Sequence, residues 1–183
     1  MDARSLRSQE SLRSAVLTLA ARSPIADVTA SAICREAGVT RDTFYRHTTS
    51  PVDLLADALG AEIAVIMAAI AEHPAIGDAE RALLTHVRAR AAVYRGAMNP
   101  ILAAPVRRNL DLSIRVGLDI WRGLRPHIVP PALNGDDRAL LMATAYAAAG
   151  TVGAIEEWLL SGADDIDRAA EVILAASPDW WLR

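Results

Sequence analysis

The side chains best suited to chemistry crowd into one short stretch, CREAGVTRDTFYRHTTSP, residues 34–51. Arg35, Arg41 and Arg46 bring guanidinium groups, Thr40 and Thr43 hydroxyls, Tyr45 a phenol and His47 an imidazole. An arginine can bond guanine O6 and N7 together, and hydroxyls, imidazoles and helix N-termini hold phosphate oxygens. Elsewhere the chain offers little of this kind. It has no Gly-rich phosphate loop, no His-Glu-x-x-His helix, no Cys–His pairing and no G-x-S-x-G elbow. His73, His86 and His127 lack ligand spacing, and the pairs Asp136-Asp137 and Asp164-Asp165 sit where helices open, so the helix dipole accounts for them. No metal and no cofactor is expected.

These groups need short, well-aimed elements. In TASAICREAGV the apolar positions Ala32, Ile33, Ala37 and Val39 suit one short amphipathic helix, with Cys34 as a small packing residue. Gly38 supplies a positive φ at a tight turn and Thr40 caps the next helix. Phe44 then points inward, while Arg41, Asp42, Thr43, Tyr45 and Arg46 lie mostly on the other side. A helix start that presents Arg, Thr and Tyr outward suits the DNA major groove, and the pattern is a helix-turn-helix signature. Asp42 serves the helix dipole or accepts from a cytosine amino group. Tyr45 and His47 either touch DNA or pack, and Arg4 and Arg7 form either a basic arm or a frayed terminus.

VTASAICREAGVTRDTFYRH followed by SPVDLLADAL resembles the N-terminal DNA-binding domain of the TetR family of transcriptional regulators. The match runs through Thr29, Ile33-Cys34, Ala37-Gly38-Val39-Thr40 and Phe44-Tyr45-Arg46-His47 to Leu54-Leu55, about fifty residues from the first helix into the fourth. The resemblance implies that Arg41, Asp42 and Tyr45 approach base edges. It places Thr29, Ser31, Thr40, Thr43, Tyr45 and His47 near phosphates, and lets Arg46 reach either. It also implies a helix-turn-helix domain over 1–49 and a helical effector-binding and dimerisation domain over 50–183. Two positions depart from the family. Thr48 stands where an aromatic is usual, and Pro51 replaces a usual Lys, which removes a phosphate-binding ammonium and lowers the expected salt dependence.

Composition bounds the rest. The 183 residues carry a net charge of −3 and are 52% hydrophobic, enough for a sizeable core. Residues 1–50 hold seven Arg against five acids, and the remainder twelve Arg against seventeen, so the sign changes where the motif ends. One cysteine and no apolar segment after MDARSLRSQESLRS point to a cytoplasmic protein. The period is helical throughout and the class is all-α, in about nine helices. The first is expected over about Gln9–Arg22, the second from Thr29 and the third from Thr40. The fourth should run from Ser50-Pro51 to Glu72, stopping at His73-Pro74, and the fifth from Gly77-Asp78 to Met98. A short helical piece and a seventh helix fill Ile101 to Arg125, an eighth covers about Asp136–Leu160 and a ninth about Asp164–Ala176.

The eighth segment, Ala139 to Ile155, is free of charge for seventeen residues. Charges flank it closely and Ala, Gly and Thr dominate it, so it reads as a buried helix and no membrane partner is expected. Small residues Ala147, Ala148, Ala149, Gly150 and Gly153 allow close approach, and by the resemblance the last two helices would join those of a second copy. A two-fold dimer implies double-stranded DNA with a roughly palindromic operator. The resemblance further implies a pocket for an unknown small-molecule effector, for which Met67, Tyr94, Met98, Trp121, Met142 and Tyr146 are candidate lining residues, with core packing as the alternative for each. The expected function is a sequence-specific regulator, a repressor released by its effector. The alternatives are an all-α small-molecule-binding enzyme, or a regulator that acts through a protein partner with weakened DNA binding. Trp180-Trp181 folds back on the chain or meets a partner.

Overall fold

The computed structural model describes residues 3–73 and 75–183, the side chains of Ala3 and Ala71 apart. Among these residues are nine α-helices and no strand. The helices are α1 Ala3–Ala20, α2 Ala30–Ala37, α3 Arg41–His47, α4 Pro51–Ala68, α5 Ile76–Ala89, α6 Ala91–Gly96, α7 Ala104–Leu124, α8 Asp137–Ser161 and α9 Ile166–Ala176. Short 3-10 turns follow α1, α4, α7 and α9, the last at Asp179–Leu182. The chain divides into two compact units. One takes the residues through Glu62 together with Arg90–Asn109; the other takes Ile63–Ala89 and Leu110–Arg183.

In the first unit α1 packs against α2, α3 and α6. Leu12, Val16, Ile33, Phe44, Leu55 and Tyr94 have no exposed surface. Arg13 on α1 donates from Nε and a terminal nitrogen to the two carboxylate oxygens of Asp57 on α4, at 2.7 and 3.0 Å. This fork fixes the rotation of α1 on α4 as well as their spacing. α4 starts where Ser50-Pro51 directs it: Ser50 Oγ accepts from the Asp53 N–H at 3.2 Å and donates to the Asp53 carboxylate at 2.6 Å. Those bonds, with one from Thr49, hold the Asp53 carboxyl below its ordinary range.

In the second unit α5 packs along α9, and α8 also meets α9. Arg81 on α5 donates to Asp167 on α9 at 2.9 Å. Ile70, Ile76, Ala79, Trp121, Ile128 and Trp181 form its buried cluster. The Trp121 indole donates to the Trp181 carbonyl at 3.2 Å, and Trp180 stacks on Trp181 with ring centres 4.0 Å apart. The C-terminal tryptophans therefore fold back on their own unit. Arg125 lies 3.5 Å over the Trp121 ring and donates to the His73 carbonyl at 3.3 Å, which closes the turn after α7.

Several boundaries differ from the sequence expectation. α1 begins at Ala3, not near Gln9, because Arg4 to Ser8 contain no helix breaker; Ser8 Oγ donates to the Arg4 carbonyl at 3.1 Å. Arg4 and Arg7, expected in a basic arm or a frayed terminus, thus lie in the first two turns of a helix. The fifth helix does not run to Met98. It breaks at Arg90, whose φ of −107° and ψ of 18° leave the helical region. The Arg90 side chain is held there by a two-point bond to Glu62, at 3.0 and 2.5 Å, and the chain restarts as α6. No helical piece follows Pro100; Met98 and Leu102 form an isolated bridge and α7 begins at Ala104. Pro74, the expected stop after the fourth helix, lies outside the described residues. α8 and α9 open as expected, with Asp136 accepting from Ala139 N–H and Asp165 from Arg168 N–H, both at 2.9 Å.

Trp181 is buried and anchors the chain end, so Trp181→Ala should cost about 3–5 kcal/mol. Denaturant unfolding followed by far-ultraviolet circular dichroism measures this, with a lower midpoint expected.

Candidate nucleic-acid interface and effector cavity

The α2–turn–α3 segment forms as its capping residues direct. Thr29 Oγ1 accepts from the Ala32 N–H at 3.1 Å and Thr40 Oγ1 from the Thr43 N–H at 3.2 Å. Between them Gly38 takes φ 66° and ψ 31°, a left-handed conformation that a β-carbon disfavours. Phe44 is buried, and that single anchor turns Arg41, Asp42, Tyr45 and Arg46 out to solvent. Thr29, Ser31 and Thr40 are exposed as well, with Thr43 and His47 half-buried. Tyr45 rests edge-on against Phe44, centroids 5.1 Å apart, yet stays 54% exposed.

The exposed groups hold one another in place. An Arg41 nitrogen lies 3.4 Å from the Tyr45 hydroxyl. Arg46 pairs with Asp42 at 3.4 Å and donates to Thr43 Oγ1 at 3.1 Å, while the Thr40 and Thr43 hydroxyls share a bond of 3.0 Å. Asp42 thus neutralises part of Arg46. Such exposed contacts are weak and exchange readily for bonds to a nucleic acid. Beside them lies a depression of about 750 Å3 bordered by Arg4, Ser5 and Ser8 of α1 and by Gly38, Thr40, Thr43, Arg46 and His47. Among the described residues its ionisable borders are Arg4, Arg46 and His47. Hydroxyls, backbone N–H groups at a helix start and guanidinium groups around one concavity are what a phosphate backbone requires.

At the two departures, Thr48 Oγ1 donates to the Ser50 carbonyl at 3.1 Å, and Pro51 occupies the first position of α4. Thr48 thereby secures the α3–α4 corner by a backbone bond in place of aromatic packing.

The second unit contains an apolar cavity of about 50 Å3. Met67, Ile70, Ile76, Leu83, Ile114, Leu118, Leu174 and Trp181 supply most of its wall, with Thr151 and Ser177 at its polar margin. Gly117 permits the close approach of α7: a β-carbon there would lie 2.4 Å from Met67 Sδ. One charged residue, Glu80, lines this cavity. The residue keeps some exposed surface, but its Oε1 is buried and unpartnered, as is the indole Nε1 of Trp181. Burial pushes the Glu80 carboxyl up from 4.5 to about 7.

The chain matches no protein-family model and no curated protein. It does resemble solved structures. One described as the dihydroxyacetone kinase operon activator DhaS aligns over 92% of this chain and 92% of its own, with a TM-score of 0.64 and 15% identity. A TetR-family transcriptional regulator from Streptomyces coelicolor aligns over 98% of this chain and 92% of its own, with a TM-score of 0.55 and 14% identity. The chain has the TetR-like fold. At this level of identity the likeness is one of architecture alone.

Of the expected DNA-facing residues, Thr40, Thr43, Arg46 and His47 border one depression, Arg41, Asp42 and Tyr45 are exposed on the same short helix, and Thr29 and Ser31 are exposed at the start of α2. The six candidate pocket residues scatter. Met67 lines the cavity, and Trp121 packs in the core of the same unit. Tyr94 is fully buried and Met98 half-buried in the first unit. Met142 and Tyr146 are 69% and 71% exposed on α8. Glu80 is not among the expected site residues, although the sequence carries a signal for it. It falls within the apolar stripe of α5 formed by Ile76, Ala79, Leu83, Leu84 and Val87, where a charge breaks the pattern.

The raised Glu80 pKa destabilises the folded state progressively as pH rises from 4.5 to about 7, because the folded protein holds a proton that the unfolded chain releases. Glu80→Gln should therefore raise the melting temperature at pH 8 and leave it nearly unchanged at pH 4. Thermal melts of both proteins at the two pH values measure this difference.

Proposed function

We propose that the protein is a sequence-specific, DNA-binding transcriptional regulator that acts as a homodimer and is released from its operator by a small-molecule effector, and so works as a repressor. The observation that carries this reading is the outward face of α3. Arg41, Tyr45 and Arg46 stand exposed at the start of a helix whose other side is anchored by Phe44. The names of the two structural neighbours, both regulators, favour the same role. In this reading residues 1–49 contact DNA, with Arg41, Asp42 and Tyr45 at base edges and Thr29, Ser31, Thr40, Thr43 and His47 at phosphates. Arg46 and Arg4 add charge beside the same depression. Residues 50–183 bind the effector and the second copy.

Support for the dimer comes from α8. It is long and apolar enough to cross a membrane by length and composition, and 39% of its most apolar window is buried. One face, with Ala148, Val152, Ile155 and Leu159, is covered within the chain. The other leaves Met142, Tyr146, Ala149, Gly150 and Leu160 in solvent, and a β-carbon at Gly150 or Gly153 would meet nothing within 4 Å. Val172 on α9, 49% exposed, borders the same side across an apolar groove that also holds Tyr146 and Pro178. An apolar face with small residues at its centre suits two helices from a second copy. A two-fold axis would then set two α3 helices on successive major-groove faces. An effector that binds one arrangement of α4 to α7 better than the other would shift α3 spacing, and DNA must weaken effector binding by the same factor.

Selection of bound duplexes from a random pool at two salt concentrations tests the reading; an enriched palindrome is expected, and no enrichment at either salt would overturn it. On the selected site, Arg41→Ala should cost about 1–3 kcal/mol and relax the preference at one base pair, whereas Arg46→Ala should reduce the salt slope by about 1. For the dimer, Tyr146→Glu should yield monomers in sedimentation velocity with an unchanged helical spectrum.

A further inference from the structure

The cavity of the second unit combines an apolar wall with one carboxylate oxygen, Glu80 Oε1, that no group among the described residues satisfies. Its lining comes from the end of α4, from α5, α7, α8 and α9, and from the C-terminal turn, and Glu80 is the one charged residue among them. The nearest cation on the same helix, Arg81, is engaged elsewhere: it donates to Asp167 at 2.9 Å and to the Gly77 carbonyl at 3.3 Å. Native interiors rarely leave a carboxylate oxygen buried and unpaired, and such a group commonly marks a position completed by a ligand. A ligand that completes this one must bring a hydrogen-bond donor, and a positive charge gains most. Its remainder must be apolar to suit Ile114, Leu118 and Leu174.

We infer that the effector is a small, predominantly apolar amine whose ammonium group pairs with the Glu80 carboxylate inside this cavity. The inference rests on the reading of residues 50–183 as the effector-binding part, and names the chemical class of that effector. The indole Nε1 of Trp181, also buried and unpartnered, supplies a donor for an oxygen on the same ligand. The empty space, about 50 Å3, holds a few water molecules, so an amine of eight or so heavy atoms must displace part of the wall. Met67 is the part built to move. Its thioether lies against Gly117, and an unbranched side chain there repacks with little strain. Because Met67 sits at the end of α4, seating the amine is coupled directly to that helix.

The chemistry carries its own pH signature. With the Glu80 carboxyl at about 7, the carboxylate that an ammonium needs is mostly absent at pH 6 and mostly present at pH 8. Among the described lining residues no other is ionisable in this range. Affinity for an amine that stays protonated should therefore rise about tenfold from pH 6 to pH 8, while affinity for a neutral analogue should fall or stay level.

Calorimetric titration of the full-length protein with benzylamine, benzyl alcohol and toluene at pH 6 and pH 8 tests this, alongside the variants Glu80→Gln and Glu80→Leu. The expected result is a preference of at least tenfold for benzylamine over benzyl alcohol at pH 8, shrinking at pH 6. Both variants should lose the preference and its pH dependence while still binding toluene, which shows that the cavity remains formed. Equal binding of all three compounds would overturn the amine class and leave the cavity as an effector site of another kind. Binding of none would overturn the cavity as a ligand site, and the duplex selection would then decide the regulator reading independently.

Discussion

A helix of seven residues does not persist alone in water, so α3 exists only because Phe44 is held in the core that α1 and α2 supply. That burial is the constraint from which the first unit follows. It sets which side of α3 faces out, and with it the direction of Arg41, Tyr45 and Arg46. The caps at Thr29 and Thr40 and the left-handed Gly38 fix the turn angle, so that the anchor and the exposed side chains are related by rigid geometry. The Arg13–Asp57 fork then ties α1, against which α3 rests, to the start of α4.

Unit two rests on a different balance. Its tryptophans and isoleucines are packed closely around Trp121, and that packing holds the chain end in place through the bond from Trp121 to the Trp181 carbonyl. Beside this well-filled cluster lies a place where packing is incomplete and one carboxylate oxygen, Glu80 Oε1, is buried without a partner among the described residues. Folding alone would favour a neutral or apolar residue at position 80, since burying an unpaired carboxylate costs free energy. A site that is unfavourable in the empty protein and satisfied on binding is one whose ligand has a large differential effect. Such an effect is needed to move a two-state equilibrium.

α8 shows how one helix serves two demands. Its buried side completes the core of its own unit, and its exposed side carries the apolar or small residues Met142, Tyr146, Ala149 and Gly150, with Glu157 toward its far end. The expectation of a helix covered all round holds on one face within a single chain. The other face requires a second chain if its apolar surface is to leave water.

The sequence by itself determined the features that depend on near neighbours along the chain. The caps at Thr40 and Ser50, the helix starts near Thr29, Asp136 and Asp164, the Gly38 turn, the inward Phe44 and the all-α class were all legible, because helix starts, turns and helical period are set within a few residues. Tertiary structure decided what depends on distant partners. At the break at Arg90 the side chain is bonded to Glu62, twenty-eight positions away, a partner that nothing local announces. The retreat of the Trp180-Trp181 pair onto Trp121 spans sixty positions. The cavity needed all of α5, α7, α8 and α9 in place before Met67 could be separated from Tyr94, Met98, Met142 and Tyr146. Aromatic and methionine side chains at helical spacing look alike in sequence, and only the packing of one helix on another settles which of them face a void, the core or solvent.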